Sequence, residues 1–390
     1  MDQKIIEWTD RARDTLRRLS REIHSHPELS GREYRAAKLH ASLLEKCGFR
    51  VQLPFLGLDT AFQATCDSGT PGPCIAYLAE YDALPQIGHG CGHNLLGAVS
   101  TVAGIVLSKA LRETGGSVVV LGCPAEETNG AKVRMAGEGV FEKIDAAMLA
   151  HPYYRFQASG SSAALQAIRY EFLGKKAHAA DAPGAGVNAL YGVLELFRYI
   201  DAIRPDLPPR TSINGVIPHG GTVANVIPDY ACGDFHLRGP DSMALEKLAD
   251  KLRIEAERIA AQLGARLNIT HYETTYENMV TNQALSKTFS ECLHRAGGEK
   301  EAPPEESPFS LDMGNVSHVC PSIHPYFGIC DGEKAELHTE QFCAYAVSDY
   351  AERQALTAAK ALALTGLKVL TQRGLLMEIR KEFQAYQSRR

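Results

Sequence analysis

Apolar positions in the first 150 residues change period several times, and the changes predict alternating helices and strands. Ile5, Ile6, Leu16 and Leu19 stand among charges in a pattern that predicts an amphipathic helix over 3–25, and a second helix is predicted in GREYRAAKLHASLLEKCGF. The runs CIAYLAEYD, SVVVLGCPAE and DAAMLAH are short, apolar and separated by helices, so they predict an α/β layer around a mostly parallel central sheet. In such sheets ligands collect at the carboxyl ends of the strands. Each of the three runs closes on residues that can bind metal or move protons: Asp82 followed by a loop rich in histidine and cysteine, Glu126 with Glu127, and His151. Three strand ends therefore point at one crevice.

Near Ala164 the pattern changes. A strand in ALQAIRYEFLGKKAHAA leads to a helix in GVNALYGVLELFRYIDAI, a proline-rich connection RPDLPPR, strands in TSINGVI and TVANVIPDYACGDFHLR, a charged helix from Ser242 to Leu263, and a final strand in ARLNITHYETTY. That order predicts a compact α+β unit of ferredoxin-like type, inserted into the first domain. The expected division is 1–163 with 277–390 for a discontinuous α/β domain and 164–276 for the insertion. Helical patterns resume after ENMVTNQAL, and the tail from Gln341 to Gln387 is mainly helical.

Composition narrows the field without deciding it. The chain has 390 residues, 45% hydrophobic and 22% charged, as in an ordinary globular protein. Its 41 basic and 46 acidic residues give a net charge of -5, with no electrostatic footprint for nucleic acid or an anionic membrane. The N-terminal segment lacks the apolar core of a signal peptide, and NLLGAVSTVAGIVLSKAL is broken by polar groups and reads as a buried helix, so a cytoplasmic location is expected. Ten cysteines without paired spacing read as reduced thiols rather than a disulfide framework.

The candidate chemistry centres on AEYDALPQIGHGCGHNLLG, residues 79–97. His89, Cys91 and His93 alternate, so an extended segment would send all three to one side, while the glycines between them permit a loop around a small ion. A glycine-rich turn with a buried thiol and satisfied imidazoles is the plain alternative. Zinc and related ions take imidazole, thiolate and carboxylate ligands, and catalytic sites keep a position open for water. On an extended segment Glu126 and Glu127 would face opposite ways, one toward a metal and its neighbour toward the substrate water. Asp82 either orients a metal-bound histidine or caps the following turn. Read alone, His151 is a core histidine and His338 an exposed one before a helix start.

Several stretches, in order along nearly the whole chain, resemble the M20 metallopeptidases: EYDALPQIGHGCGHN, PAEE, the HP that follows the third strand, GKKAHAADAPGAGVNAL, GGTVANVIPD and DMGNVSHVCPSIHP. The likeness is to the amidohydrolase branch, with its aminobenzoyl-glutamate hydrolase-like, N-acyl amino acid hydrolase and β-alanyl dipeptidase-like members. It implies that Cys91, His93, Glu127, His151 and His338 hold two divalent metal ions, zinc or alternatively manganese, cobalt or nickel, with Glu126 as general base and Asp82 behind a ligand. The insertion would be a lid and dimerisation domain in a homodimer. His178 resembles a lid histidine that reaches the partner's active site and polarises the scissile carbonyl, and Asn225 and Arg238 resemble lid residues that hold the substrate backbone or carboxylate. The stretch REIHSHPELS also matches the family, and its His24 and His26 read as packing or capping residues.

The implied reaction is hydrolysis of an amide in an N-acyl amino acid or dipeptide with a free carboxylate, with a dipeptidase or carboxypeptidase as the nearest alternative. Two rivals differ in kind. A cysteine amidase would use Cys91 with His93 as nucleophile and base, and a catalytically silent metal-binding protein would have no need of Glu126.

Overall fold

A computed structural model describes residues 1–389. The chain divides into two compact units. The first comprises Met1–Ser161, Met279–Glu306 and the residues from Asp312 onward; the second comprises Ser162–Asn278 and Ser307–Leu311.

The first unit is built on a six-stranded sheet. Its order is Arg50–Gln52, Phe62–Asp67, Ser117–Gly122, Cys74–Ala79, Ala146–Met148 and Ser322–Ile323. The last four strands run parallel, while the first two join by antiparallel pairing, so the sheet is mixed with a parallel half. The three apolar runs seen in the sequence are all in that parallel half, buried on both faces as parallel strands are. Helix His93–Ser108 lies against it, buried along almost its whole length, and packs on the long helix Asp349–Thr371. Burial on all sides explains its near-continuous apolar sequence. Two of its glycines permit the close approach: a Cβ at Gly97 would sit 2.5 Å from the Glu80 carbonyl oxygen, and one at Gly104 would sit 2.4 Å from Val120. The amphipathic N-terminal segment is two helices, Asp2–Arg11 and Arg13–His24, broken at Ala12. Among the described residues no helix is long and apolar enough to cross a membrane.

The second unit has the expected ferredoxin-like plan. Its sheet order is Arg266–His271, Ala164–Leu173, Tyr230–Gly239 and Ser212–His219, antiparallel throughout. Helices Ala189–Ile203 and Ser242–Leu263 pack on this sheet over Ile168, Tyr170, Phe172 and Phe235. Each helix is capped at its start by an acceptor side chain, Asn188 and Asp241.

Candidate metal centre

His93 is the first residue of the buried helix, and the residue before it, Gly92, has φ +78°. A side chain there would be strained and would press within 2.9 Å of Pro152, so glycine is required for the chain to turn into the helix. The turn also separates the three alternating residues. The segment is not extended as the alternation supposed: His89 points away, its Nε2 3.2 Å from the Ile23 carbonyl and its ring stacked on His24.

His93 Nδ1 lies 2.9 Å from Asp82 Oδ1. An ionised carboxylate can only accept, so Nδ1 donates and Nε2 is the ring nitrogen left facing inward. That Nε2 is 3.3 Å from Glu80 Oε2 and 3.9 Å from Glu127 Oε1. All three atoms are buried without a hydrogen-bond partner. Burial alone would lower the His93 pKa, but Cys91 and Asp82 outweigh it and hold it well above the ordinary value. Surroundings that so favour a proton favour any cation at the same point. Burial would raise the Asp82 carboxyl, yet His93 and the Glu127 amide draw it down to about 2.

Three overlapping groups have ligand atoms within 4.8 Å of one another: Cys91, His93 and His151; Cys91, Glu127 and His338; and Glu80, His93 and Glu126. Cys91 belongs to two of them. Its Sγ is 3.7 Å from His151 Nε2, while His151 Nδ1 donates to the Pro152 carbonyl at 2.7 Å. Burial, aided by the positive His93, takes His151 down to about 4, so it is a neutral imidazole with Nε2 turned to the cluster. His338 has φ +63°; its amide donates to the Gly90 carbonyl and its Nε2 is 3.4 Å from Glu127 Oε2, which raises its pKa. This histidine is half-exposed.

Glu126 and Glu127 sit on a turn, not on an extended strand end. The division of directions expected from alternation is produced instead by this turn: Glu127 belongs to the Cys91 and His338 group, and Glu126 to the Glu80 and His93 group. The Glu127 amide donates to Asp82 Oδ2 at 3.0 Å, and Ser30 Oγ donates to the same oxygen at 2.8 Å. Burial pushes the Glu126 carboxyl well up, and Glu80 and Glu127 push it further.

Sequence reasoning missed several members of the site. Lys132 is fully buried, with Nζ 2.8 Å from Glu80 Oε1 and 2.5 Å from Asp312 Oδ1. Burial would lower its pKa, and the two carboxylates outweigh it, so the ammonium is kept charged. Glu80 was legible, because it alternates with Asp82; nothing in the sequence joins Lys132 to an aspartate 180 residues away. His324 stacks on His151 at 5.4 Å and Tyr326 meets both rings.

Three of the expected residues lie in the second unit. His178 is exposed, with Nδ1 accepting from the Ala180 and Asp181 amides. Val226 is its partner across a two-stranded ladder, and the carbonyl of the adjacent Asn225 accepts from the Ala179 amide. Arg238 is half-buried and donates to Ser310 Oγ at 2.8 Å.

The chain is similar to several known proteins. A family model described as the M20 peptidase dimerisation domain matches residues 164–263. The mouse Xaa-Arg dipeptidase is 36% identical over 402 residues, covering 98% of this chain and 92% of the relative. A p-aminobenzoyl-glutamate hydrolase chain of Escherichia coli K12 is 26% identical, covering 98% of this chain and 95% of that one. Among solved structures, a Bacillus subtilis dinuclear metal-binding peptidase from the M20 family has the same fold, with a TM-score of 0.69 at 21% identity over 92% of this chain and 98% of that one. A shared fold, a cluster of side chains that could hold a metal and a relative alike over nearly the whole length of both chains lead to one conclusion: the chain belongs to the M20 family of metallopeptidases and amidohydrolases, and is a hydrolase.

Proposed function

We propose that this hydrolase cleaves the amide bond of dipeptides or N-acyl amino acids that carry a free carboxylate, using two divalent ions. The observation that carries the reading is the set of overlapping ligand groups sharing Cys91 and His93, with the buried Glu126 beside them. We assign Cys91, His93, Glu127, His151 and His338 as the ligands, and zinc as the metal with manganese, cobalt or nickel as alternatives. The donor set fits: thiolate, imidazole and carboxylate suit zinc, and the partnerless His93 Nε2 and Glu127 Oε1 are acceptors that want a cation. When bound, the ions supply Lewis acidity, which polarises the scissile carbonyl and acidifies a water.

The chain's own residues do the rest. Glu126 takes the proton from the attacking water and returns it to the amine nitrogen as the carbon–nitrogen bond breaks. Asp82 fixes the His93 tautomer so that Nε2 remains an acceptor. From the second unit we assign His178 to the developing oxyanion and Asn225 and Arg238 to the substrate backbone and carboxylate, in a homodimer formed through residues 164–276. The likeness to an Xaa-Arg dipeptidase supports dipeptides ending in arginine as the first substrates to try, and the p-aminobenzoyl-glutamate hydrolase supports N-acyl glutamates as the second. A cysteine-nucleophile reading is disfavoured because Cys91 Sγ lies in two of the three groups of converging ligand atoms, with Glu127 and His338 as well as with His93 and His151.

The test is mass-spectrometric detection of amine release from a panel of Xaa-Arg and other dipeptides, N-acyl amino acids and p-aminobenzoyl-glutamate. Zinc or manganese is supplied, and a chelated sample serves as control. Chelator-sensitive cleavage of a subset is expected. Cleavage that survives chelation and is abolished by thiol alkylation would sink the metal reading.

A further inference from the structure

Glu33 is a wholly buried carboxylate for which, among the described residues, no ion-pair partner is found. Burial raises its pKa, as it does for any carboxyl taken out of water. It is held by donors instead. Oε1 accepts from the Gly31 amide at 2.7 Å and from the Ala125 amide at 2.8 Å, and Oε2 accepts from Thr60 Oγ1 at 2.8 Å. Burying a carboxylate is costly unless such donors surround it, so its presence calls for a reason.

The Ala125 contact supplies one. Ala125 has φ +62°, in the left-handed region that a residue with a Cβ avoids. Such a conformation persists only where the surroundings over-determine it. Glu33 grips the Ala125 amide, and Asp82 Oδ2 grips the Glu127 amide at 3.0 Å, so the turn is held on either side of Glu126. Both grips trace to one short segment. The Glu28 carbonyl accepts from the Ala83 amide, Ser30 Oγ donates to Asp82, and Glu33 accepts from Ala125, which ties residues 28–33 to the ends of two neighbouring strands. The segment begins in the PELS of REIHSHPELS, just after His24 and His26. Glu28 caps the following helix, accepting from the Arg35 and Ala36 amides, but Glu33 points the other way.

We propose that Glu33 is a positioning residue for Glu126, acting through the main chain of Ala125 to hold the strained turn in the conformation that aims the Glu126 carboxylate. The proposal rests on the reading of Glu126 as general base. Glutamine at position 33 keeps the size and an oxygen for the Gly31 and Ala125 amides, with its NH2 group turned to Thr60 Oγ1, but it loses the charge, and hydrogen bonds to a neutral acceptor are about half as strong. A misaimed base loses rate without losing substrate affinity, and displacement by about 1 Å can cost about 100-fold.

The experiment compares the wild-type full chain, Glu33→Gln, Ala125→Gly and the double variant, all loaded with zinc. It reads amide hydrogen exchange over residues 123–128, bound zinc by elemental analysis, and kcat and KM on Ala-Arg. For E33Q we expect exchange faster by about tenfold or more, kcat lower by about 10- to 100-fold and KM within about twofold, with zinc content unchanged. Glycine adopts positive φ without penalty, so A125G in the E33Q background should recover at least about fivefold in kcat. Unchanged exchange in E33Q, a loss of kcat that merely follows loss of zinc, or no recovery in the double variant would each overturn the proposal. If E33Q does not fold, Thr60→Val removes one donor to the same carboxylate, and unchanged exchange over 123–128 would overturn the proposal equally. Exchange is read without turnover, so a failure of the Glu126 reading, seen as full activity in E126Q, is told apart from a failure of the brace.

Discussion

Asp82 serves three neighbours at once: it accepts from His93 Nδ1, from the Glu127 amide and from Ser30 Oγ. Asp82→Asn keeps the shape but can present an NH2 group where His93 must donate. We expect zinc affinity, measured by competition with a chromophoric chelator, to fall by about 10- to 100-fold. With Glu126 as the proposed general base, Glu126→Gln should leave zinc content intact and lower kcat by about 10²- to 10⁴-fold. A third residue matters for stability alone. His40 is fully buried beside Tyr81 and Phe62, with Nδ1 2.8 Å from Thr101 Oγ1, and burial takes it down to about 3. Its ordinary value is near 6.5, so the unfolded chain takes up the proton first as pH falls. The stability it contributes is therefore complete above about pH 6.5 and is lost progressively toward about pH 3. Of the stability that urea unfolding of the chelator-treated chain loses between about pH 7 and about pH 5, about 2 kcal/mol should come from this group, and His40→Gln should reduce the loss by that amount.

Elements carry the residues to the site, and their packing sets how closely they can come. Helix His93–Ser108 delivers His93 because Gly97 lets the helix lie against the Glu80 carbonyl and His40. Helix propensity alone would favour alanine at this position. Close packing predicts the opposite: Gly97→Ala should cost about 1–3 kcal/mol in urea unfolding and also weaken zinc binding, since the helix must back away from the strand that carries Glu80 and Asp82. Apolar runs legibly marked the parallel strands, because strands buried on both faces leave no polar alternation. The turn bearing Glu126 and Glu127 was not legible. Its direction depends on a left-handed alanine and on acceptors from Glu33 and Asp82, which are far away in sequence.

On the scale of the whole molecule, the first unit brings side chains that could hold a metal together from four separate parts of the chain. Binding energy for a cation is thereby coupled to folding: a site that exists only in the folded state adds RT ln(1 + [L]/Kd) to stability, about 4 kcal/mol at about 1,000 times Kd. Zinc should accordingly raise the thermal midpoint of the chelated protein, and an unmoved midpoint at saturating zinc would count against the site. By itself the sequence determined the fold class, the insertion of a ferredoxin-like unit and the residues from which a metal centre could be made. Those features follow from local period and from motifs whose chemistry is written in adjacent residues. Only the tertiary structure decided that His89 turns away to Ile23, that Lys132 balances Glu80 and Asp312, and that Glu33 reaches the turn before Glu126. Each of these depends on which buried polar groups find partners across the fold, and pairing between distant residues leaves no periodic mark on the chain.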